Sequence, residues 1–144
     1  MKKLLIVLLF GALAYGYLDR NPGLFESYTQ QTSGGDDQLT RAFEQQLSDY
    51  QVEGEGRVIK VLPDDTKGSQ HQRFILQLAT GQTILIAHNI DLAPRIPGLK
   101  EGDQVRFYGE YEWNDKGGVV HWTHHDPGGR HVGGWLRHEG VTYE

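Results

Sequence analysis

DQVRFYGEYEW, the stretch from Asp103 to Trp113, alternates between two kinds of residue. The apolar or small set consists of Val105, Phe107, Gly109, Tyr111 and Trp113, and the polar set of Arg106, Tyr108, Glu110 and Glu112. Because successive side chains of a β-strand point to opposite faces, the alternation predicts a strand with one buried and one exposed face. Gly109 at its middle predicts a bulge or a bend.

Four further segments have the same strand character. They comprise residues 57–62, 73–78, 83–88 and 119–125. Short loops at 79–82 and 114–118 predict hairpins, whereas Pro94 and Pro97 mark residues 89–102 as a long connection. Five short strands with one long connection predict a mainly β fold, a small five-stranded OB-like antiparallel barrel. The alternative is an SH3-like barrel or another small antiparallel barrel.

One amphipathic helix is predicted before the strands, over residues 36–50. Leu39, Phe43 and Leu47 recur at four-residue spacing, so they share one stripe, and Asp36 or Asp37 can cap the helix. A single narrow stripe predicts a helix that packs on another element. The barrel domain is predicted over residues 52–144, and it ends in a hairpin rich in histidine and glycine.

The N-terminus carries an export signal in this interpretation. Lys2 and Lys3 precede an uncharged apolar run from Leu4 to Leu18, which predicts a signal peptide or an uncleaved membrane anchor over residues 1–18. Residues 19–35 are predicted to be a flexible linker. Both alternatives leave the two lysines in the cytoplasm and the rest of the chain outside. We therefore expect a periplasmic protein, either released or anchored in the inner membrane, that contacts the membrane only through residues 4–18.

Composition excludes several classes of function. The net charge of −5 disfavours non-specific coating of DNA, which depends on neutralising phosphates with Lys and Arg. The chain has no cysteine, so it has no disulfide partner, no thiolate metal site and no thiol nucleophile. It also lacks the GxSxG motif of serine hydrolases.

Five of the seven histidines lie between His121 and His138. Side chains four residues apart on a straight strand are about 13 Å apart, so His121 and His125 cannot ligate one ion. A metal site would need residues at the end of the strand, and the candidate ligands are His124, His125, Asp126 and His131. The alternative is a hydrogen-bonded corner that holds the glycine-rich tail against the barrel.

A polar ligand site is the leading interpretation of the same region. The hairpin of residues 73–88 should bring His71 close to His88, and Arg95, between Pro94 and Ile96, suits an anionic group unless it only pairs with Asp91. The candidate ligand-binding residues are His71, Arg73, His88, Asn89, Asp91, Arg95, Trp122, His124, His125 and Asp126.

Four motifs resemble one protein family. They are VLPDD at residues 61–65, HQRF at 71–74, HNIDLAPR at 88–95 and HWTHHDP at 121–127. Together they resemble the DUF3465 family of small bacterial proteins over Val52 to Tyr143. The resemblance implies an exported bacterial protein with an OB-like barrel and unassigned function, and it supplies no active site to transfer.

Three classes of function remain open from the sequence. The first is an exported domain that binds a polar small molecule, saccharide, peptide or single-stranded nucleic acid. The second is a metal-dependent hydrolase or phosphodiesterase, with a divalent transition metal as cofactor. In that enzyme, Arg95 would hold the substrate anion, and ligands or a general base would come from His71, His88, His124, His125, Asp126 and His131. The third is an envelope scaffold or interaction module.

Overall fold

A computed structural model describes residues 35–144 of the protein. They form one helix, α1 (residues 35–44), and seven strands: β1 (Tyr50–Asp65), β2 (His71–Gln77), β3 (Thr83–Asn89), β4 (Gln104–Glu112), β5 (Val119–His121), β6 (Trp135–His138) and β7 (Val141–Tyr143). The predicted signal or anchor and the predicted linker lie outside the described residues, apart from Gly35, the first residue of α1. Among residues 35–144, no helix is both long enough and apolar enough to cross a membrane.

Five strands form a closed ring. β1 pairs with β2 and β2 with β3, both antiparallel, and β3 then pairs in parallel with β5. β5 pairs with β4, and β4 pairs with the first half of β1, which closes the ring. The β6–β7 hairpin extends the sheet from β4. The prediction of a mainly β protein with one helix is confirmed, but the ring is not wholly antiparallel, because β3 and β5 run in the same direction.

The helix is shorter and the first strand longer than the sequence indicated. Helix α1 ends at residue 44 rather than 50, and Gln46 and Asp49 adopt positive φ angles of 54° and 53° that are incompatible with a continuing helix. Strand β1 begins at Tyr50 and includes Gly54 and Gly56. Gly54 is needed for packing, because a Cβ there would lie 2.6 Å from Phe107 Cζ and 2.8 Å from Leu39 Cδ1.

The core lies inside the ring and under the helix. Alternate residues of β2, β3 and β4 are buried, as expected for strands with one inward face. Leu39 and Ala42 of α1 are fully buried in the same cluster. The largest core side chains include Phe74, Leu76, Ile84, Ile86, Phe107, Tyr111 and Leu136.

The bulge predicted at Gly109 is not present in the pairing of β4 with β1. Gly109 pairs regularly with Val52, and the register shifts lie in β1, between Val58 and Lys60 and between Leu62 and Asp65. Gly109 instead allows a close approach, since a Cβ there would lie 2.5 Å from the carbonyl oxygen of His121. The glycine therefore brings the end of β5 tightly against β4.

Candidate functional site

Strand β5 ends at a strained residue. Trp122 has a φ of 55°, a conformation that bulky side chains rarely adopt. This turn ends β5 at His121, four residues earlier than the predicted end, and breaks the side-chain alternation. Consequently Thr123 and His124 are both buried, whereas His125 is exposed.

Asp126 organises the loop that follows. Its carboxylate accepts hydrogen bonds from the backbone N–H groups of Gly128 at 2.9 Å, Arg130 at 2.9 Å and His131 at 2.8 Å. These bonds, the one from His131 first, lower the pKa of Asp126. Both carboxylate oxygens are thus occupied by the loop's own backbone, and the loop carries His131 back toward the sheet.

His131 packs on Trp122 and contacts a carboxylate. The two rings are stacked, with centroids 3.9 Å apart and planes 10° from parallel. Nδ1 of His131 lies 2.8 Å from the Val132 carbonyl oxygen and Nε2 lies 2.9 Å from Glu110 Oε2. Because both ring nitrogens face oxygen acceptors, the imidazolium form satisfies both contacts.

The pKa of His131 moves in the direction that these contacts require. Burial of the ring opposes its charging. The hydrogen bonds to Val132 and Glu110, with the negative charges of Glu110 and Asp126, outweigh that effect and raise the pKa of His131. The His131–Glu110 hydrogen bond therefore favours the charged form of the ring, and it orients the Glu110 side chain.

A second histidine lies beside Glu110. His121 of β5 is the cross-strand partner of Glu110, and its Nε2 lies 3.7 Å from Glu110 Oε2 and 3.4 Å from Glu112 Oε1. The nitrogen makes no hydrogen bond, although solvent does not reach it. One donor atom from each of Glu110, Glu112 and His121 lies within 4.8 Å of the other two.

The sequence contained a signal for this cluster. Glu110 and Glu112 share the outward phase of β4, and His121 has the outward phase of β5. The pairing of Glu110 with His121 depends on the register across the hairpin loop, which the sequence pattern alone did not supply. We call the outward surface of Glu110, Glu112, His121, Trp122 and His131 the β4–β5 polar face.

The four predicted metal ligands do not form one donor set. Within residues 35–144, the two clusters of three or more close metal-binding groups are Glu110–Glu112–His121 and Asp103–His138–Glu139. His124 is buried, and its Nδ1 donates to the carbonyl oxygen of His125 at 2.7 Å. His124 also packs against Trp122, with ring centroids 5.3 Å apart, while Asp126 is engaged by backbone.

His88, a predicted ligand residue, has a structural environment. Its side chain is fully buried, with Nδ1 2.8 Å from Thr123 Oγ1 and Nε2 2.9 Å from the Pro94 carbonyl oxygen. Burial, chiefly, lowers its pKa to about 4. The neutral ring therefore ties the loop after β3 to the end of β5. His71 pairs with Asn89, next to His88, whose own cross-strand partner is Gln72, so the two histidines lie near one another as expected.

The remaining candidates make local contacts around the loop after β3 and the end of β1. Asp91 accepts from the Gln70 N–H at 2.9 Å, and the Asn89 side chain accepts from the Asp91 N–H at 3.0 Å. Arg95 forms an ion pair with Asp64, not with Asp91. Two nitrogens of Arg73 donate to the carbonyl oxygen of Pro63, at 3.0 and 3.2 Å. These residues do not converge on the β4–β5 polar face. Of the predicted ligand-binding residues, Trp122 alone belongs to that face.

A comparison with protein families assigns the chain to one of them. Residues 23–144 match the family described as "Protein of unknown function (DUF3465)". The match covers most of the chain, so the protein belongs to the DUF3465 family, as its motifs indicated. No curated protein matches the sequence.

Proposed function

We propose that this protein is an exported OB-like barrel domain that binds a polar, positively charged ligand at the β4–β5 polar face. One observation carries the proposal. Nε2 of His121 is held beside two carboxylates without a hydrogen-bond partner. Shielded polar atoms in proteins are nearly always paired, so an unpaired one at a surface cluster supports a missing ligand.

The strand order supports the OB-like class. A ring in the order β1, β2, β3, β5, β4 and back to β1, with the one parallel pair between β3 and β5, suits a five-stranded Greek-key barrel. Glu110, Glu112 and His121 lie on the outer face of this ring, where their side chains are partly exposed.

The charges of the face favour a particular ligand chemistry. Glu110 and Glu112 present carboxylate oxygens, which accept hydrogen bonds and attract positive charge. They repel phosphates, so a single-stranded nucleic acid suits this face less well than a cationic or hydroxyl-rich molecule. Trp122 has His131 stacked on its ring, and it supports the face rather than offering a free stacking surface.

Ligand binding is testable by thermal stabilisation, since a ligand that binds only the folded state raises the melting temperature. We expect amines, amino sugars or divalent cations, but not nucleotides, to stabilise the protein. Glu112→Gln should abolish the shift, whereas Glu101→Gln, which changes an exposed carboxylate outside the face, should preserve it. Equal shifts in both variants would place the ligand elsewhere.

Export is the second part of the proposal. Lys2, Lys3 and the uncharged run from Leu4 to Leu18 support it. Fractionation of cells that express the full chain should recover the protein outside the cytoplasm. N-terminal sequencing of that material distinguishes a released protein from one that retains residues 1–18 as an anchor. Recovery in the cytoplasmic fraction alone would contradict export.

A further inference from the structure

We infer that Glu110, Glu112 and His121 form a binding site for a divalent transition metal ion of the zinc type. The inference deepens the proposed function, because it names the positive ligand of the β4–β5 polar face. It differs from the site predicted from sequence, which used His124, His125, Asp126 and His131.

The distances suit such an ion. Zinc takes histidine nitrogen at about 2.0–2.1 Å and carboxylate oxygen at about 2.0–2.2 Å, so tetrahedral ligand atoms lie roughly 3.3–3.5 Å apart. Nε2 of His121 lies 3.4 Å from Glu112 Oε1 and 3.7 Å from Glu110 Oε2. Small side-chain adjustments would bring all three donors to one ion, with no change in the pairing of β4 and β5.

The electrostatics agree with the distances. Within residues 35–144, the basic groups within 4.0 Å of the Glu110 and Glu112 carboxylates are His121 and His131. No lysine or arginine of this part of the chain pairs with them, and Arg106 of the same strand pairs with Glu53. Two carboxylates side by side are repulsive, and a divalent cation removes that repulsion.

The surroundings hold the donors in place. Glu110 accepts a hydrogen bond from His131 at 2.9 Å, and His131 is itself positioned by Trp122 and by the Asp126 loop. Such outer contacts commonly orient metal ligands. Three protein donors leave a fourth position for water or another ligand, as in zinc sites that are not purely structural.

The other cluster of similar composition provides a contrast. Asp103 accepts from His138 Nε2 at 2.9 Å and from Lys100 Nζ at 3.1 Å. Both oxygens of Asp103 are therefore already paired, whereas Glu110 accepts one such bond, from His131 at Oε2. The lysine charge also opposes a second cation. Both clusters thus place a histidine close to carboxylates. In the Glu110–Glu112–His121 cluster, however, the histidine nitrogen is unpaired and no lysine pairs with the carboxylates.

The test is zinc binding by the full chain after treatment with a chelator. Calorimetric titration with zinc alone should give one ion per chain, and elemental analysis after desalting should agree. His121→Ala and Glu112→Gln should each weaken binding by at least about tenfold. His125→Ala and His138→Gln are matched controls that remove histidines outside the site, and they should bind zinc as the unchanged protein does.

Three outcomes would overturn the inference: no zinc binding, unchanged binding in His121→Ala and Glu112→Gln, or loss of binding in His125→Ala alone. Circular dichroism of each variant verifies that the chain is folded. If His121→Ala does not fold, Glu112→Gln still tests the site, because Glu112 is partly exposed and its substitution should leave the fold intact. If zinc fails to bind but an amine still stabilises the protein in a Glu112-dependent manner, the metal inference fails and the proposed function stands.

Discussion

Nδ1 of His88 accepts a hydrogen bond from the hydroxyl of Thr123 at 2.8 Å, across 35 positions of the chain. The opposite nitrogen, Nε2, donates to the carbonyl oxygen of Pro94 at 2.9 Å. A neutral imidazole with its proton on Nε2 satisfies both partners. Burial of the ring, rather than these two contacts, disfavours the imidazolium.

We expect the free energy of unfolding to decrease as the pH falls from about 6.5 to about 4. Burial, aided by the nearby His124 and His71, lowers the pKa of His88 to about 4 in the folded protein, from 6.5 as its ordinary value. The unfolded chain therefore takes up this proton first, which costs about 3 kcal/mol of stability over that interval. Urea denaturation at pH 7, 5.5 and 4.5 measures the effect.

The contribution of His88 is isolated by the variant His88→Gln. The raised pKa of His131 acts on stability in the opposite direction, so a comparison of two proteins is needed. The difference in the free energy of unfolding between the unchanged protein and His88→Gln should therefore shrink as the pH falls. A constant difference from pH 7 to 4.5 would mean that His88 does not retain a low pKa.

Gln72→Leu should destabilise the protein by about 2–6 kcal/mol. The buried Gln72 amide donates to the Ile96 carbonyl oxygen at 3.0 Å and accepts from the Ile96 N–H at 2.9 Å. Leucine of similar size would leave two backbone groups unpaired, at about 1–3 kcal/mol each. Thermal and urea denaturation measure the loss. The exposed Gln104→Leu on β4 should change stability by less than about 0.5 kcal/mol.

Asp126→Ala should loosen the loop that carries His131 without unfolding the ring. Three backbone N–H groups lose their acceptor, so amide hydrogen exchange at Gly128, Arg130 and His131 should accelerate at least about tenfold. Amides of β2 and β3 should keep their protection. If amide exchange in the loop is unchanged, the Asp126 carboxylate does not organise the loop. Asp126 would then again be a candidate metal ligand.

Arg95→Ala should change stability by less than about 1 kcal/mol, because its ion pair with Asp64 joins two partly exposed side chains. The same variant tests the earlier interpretation that Arg95 holds an anionic ligand. Titration with inorganic phosphate should give the same weak response in both proteins. A phosphate-induced thermal shift that disappears in Arg95→Ala would restore that interpretation.

The strands were predictable where burial of one face imposes alternation. Phe74, Leu76, Ile84 and Ile86 alternate with more exposed neighbours, and β2 and β3 follow this pattern closely. The start of β1 was not predictable from the sequence, because glycines such as Gly54 and Gly56 are typical of turns. Those glycines are required by side chains and backbone from other elements, which a local pattern does not contain.

Only the approximate location of the candidate site was predictable from the sequence. The sequence indicated that histidines and Trp122 gather near the end of β5. The positive φ of Trp122 then shifts every later residue out of phase, so His124 becomes buried and His125 exposed. The partners of His121 lie on another strand, Glu110 and Glu112, and they follow from hairpin register rather than from spacing within one segment.

Closure of the ring by β1 and β4 has a kinetic consequence. Tyr50 must pair with Tyr111, and Arg57 with Gln104, before the five-stranded ring is closed. Such pairings between distant parts of the chain raise the contact order, and proteins dominated by them fold in about milliseconds to seconds rather than microseconds. The five-stranded ring of this chain should therefore complete its folding in that slower range.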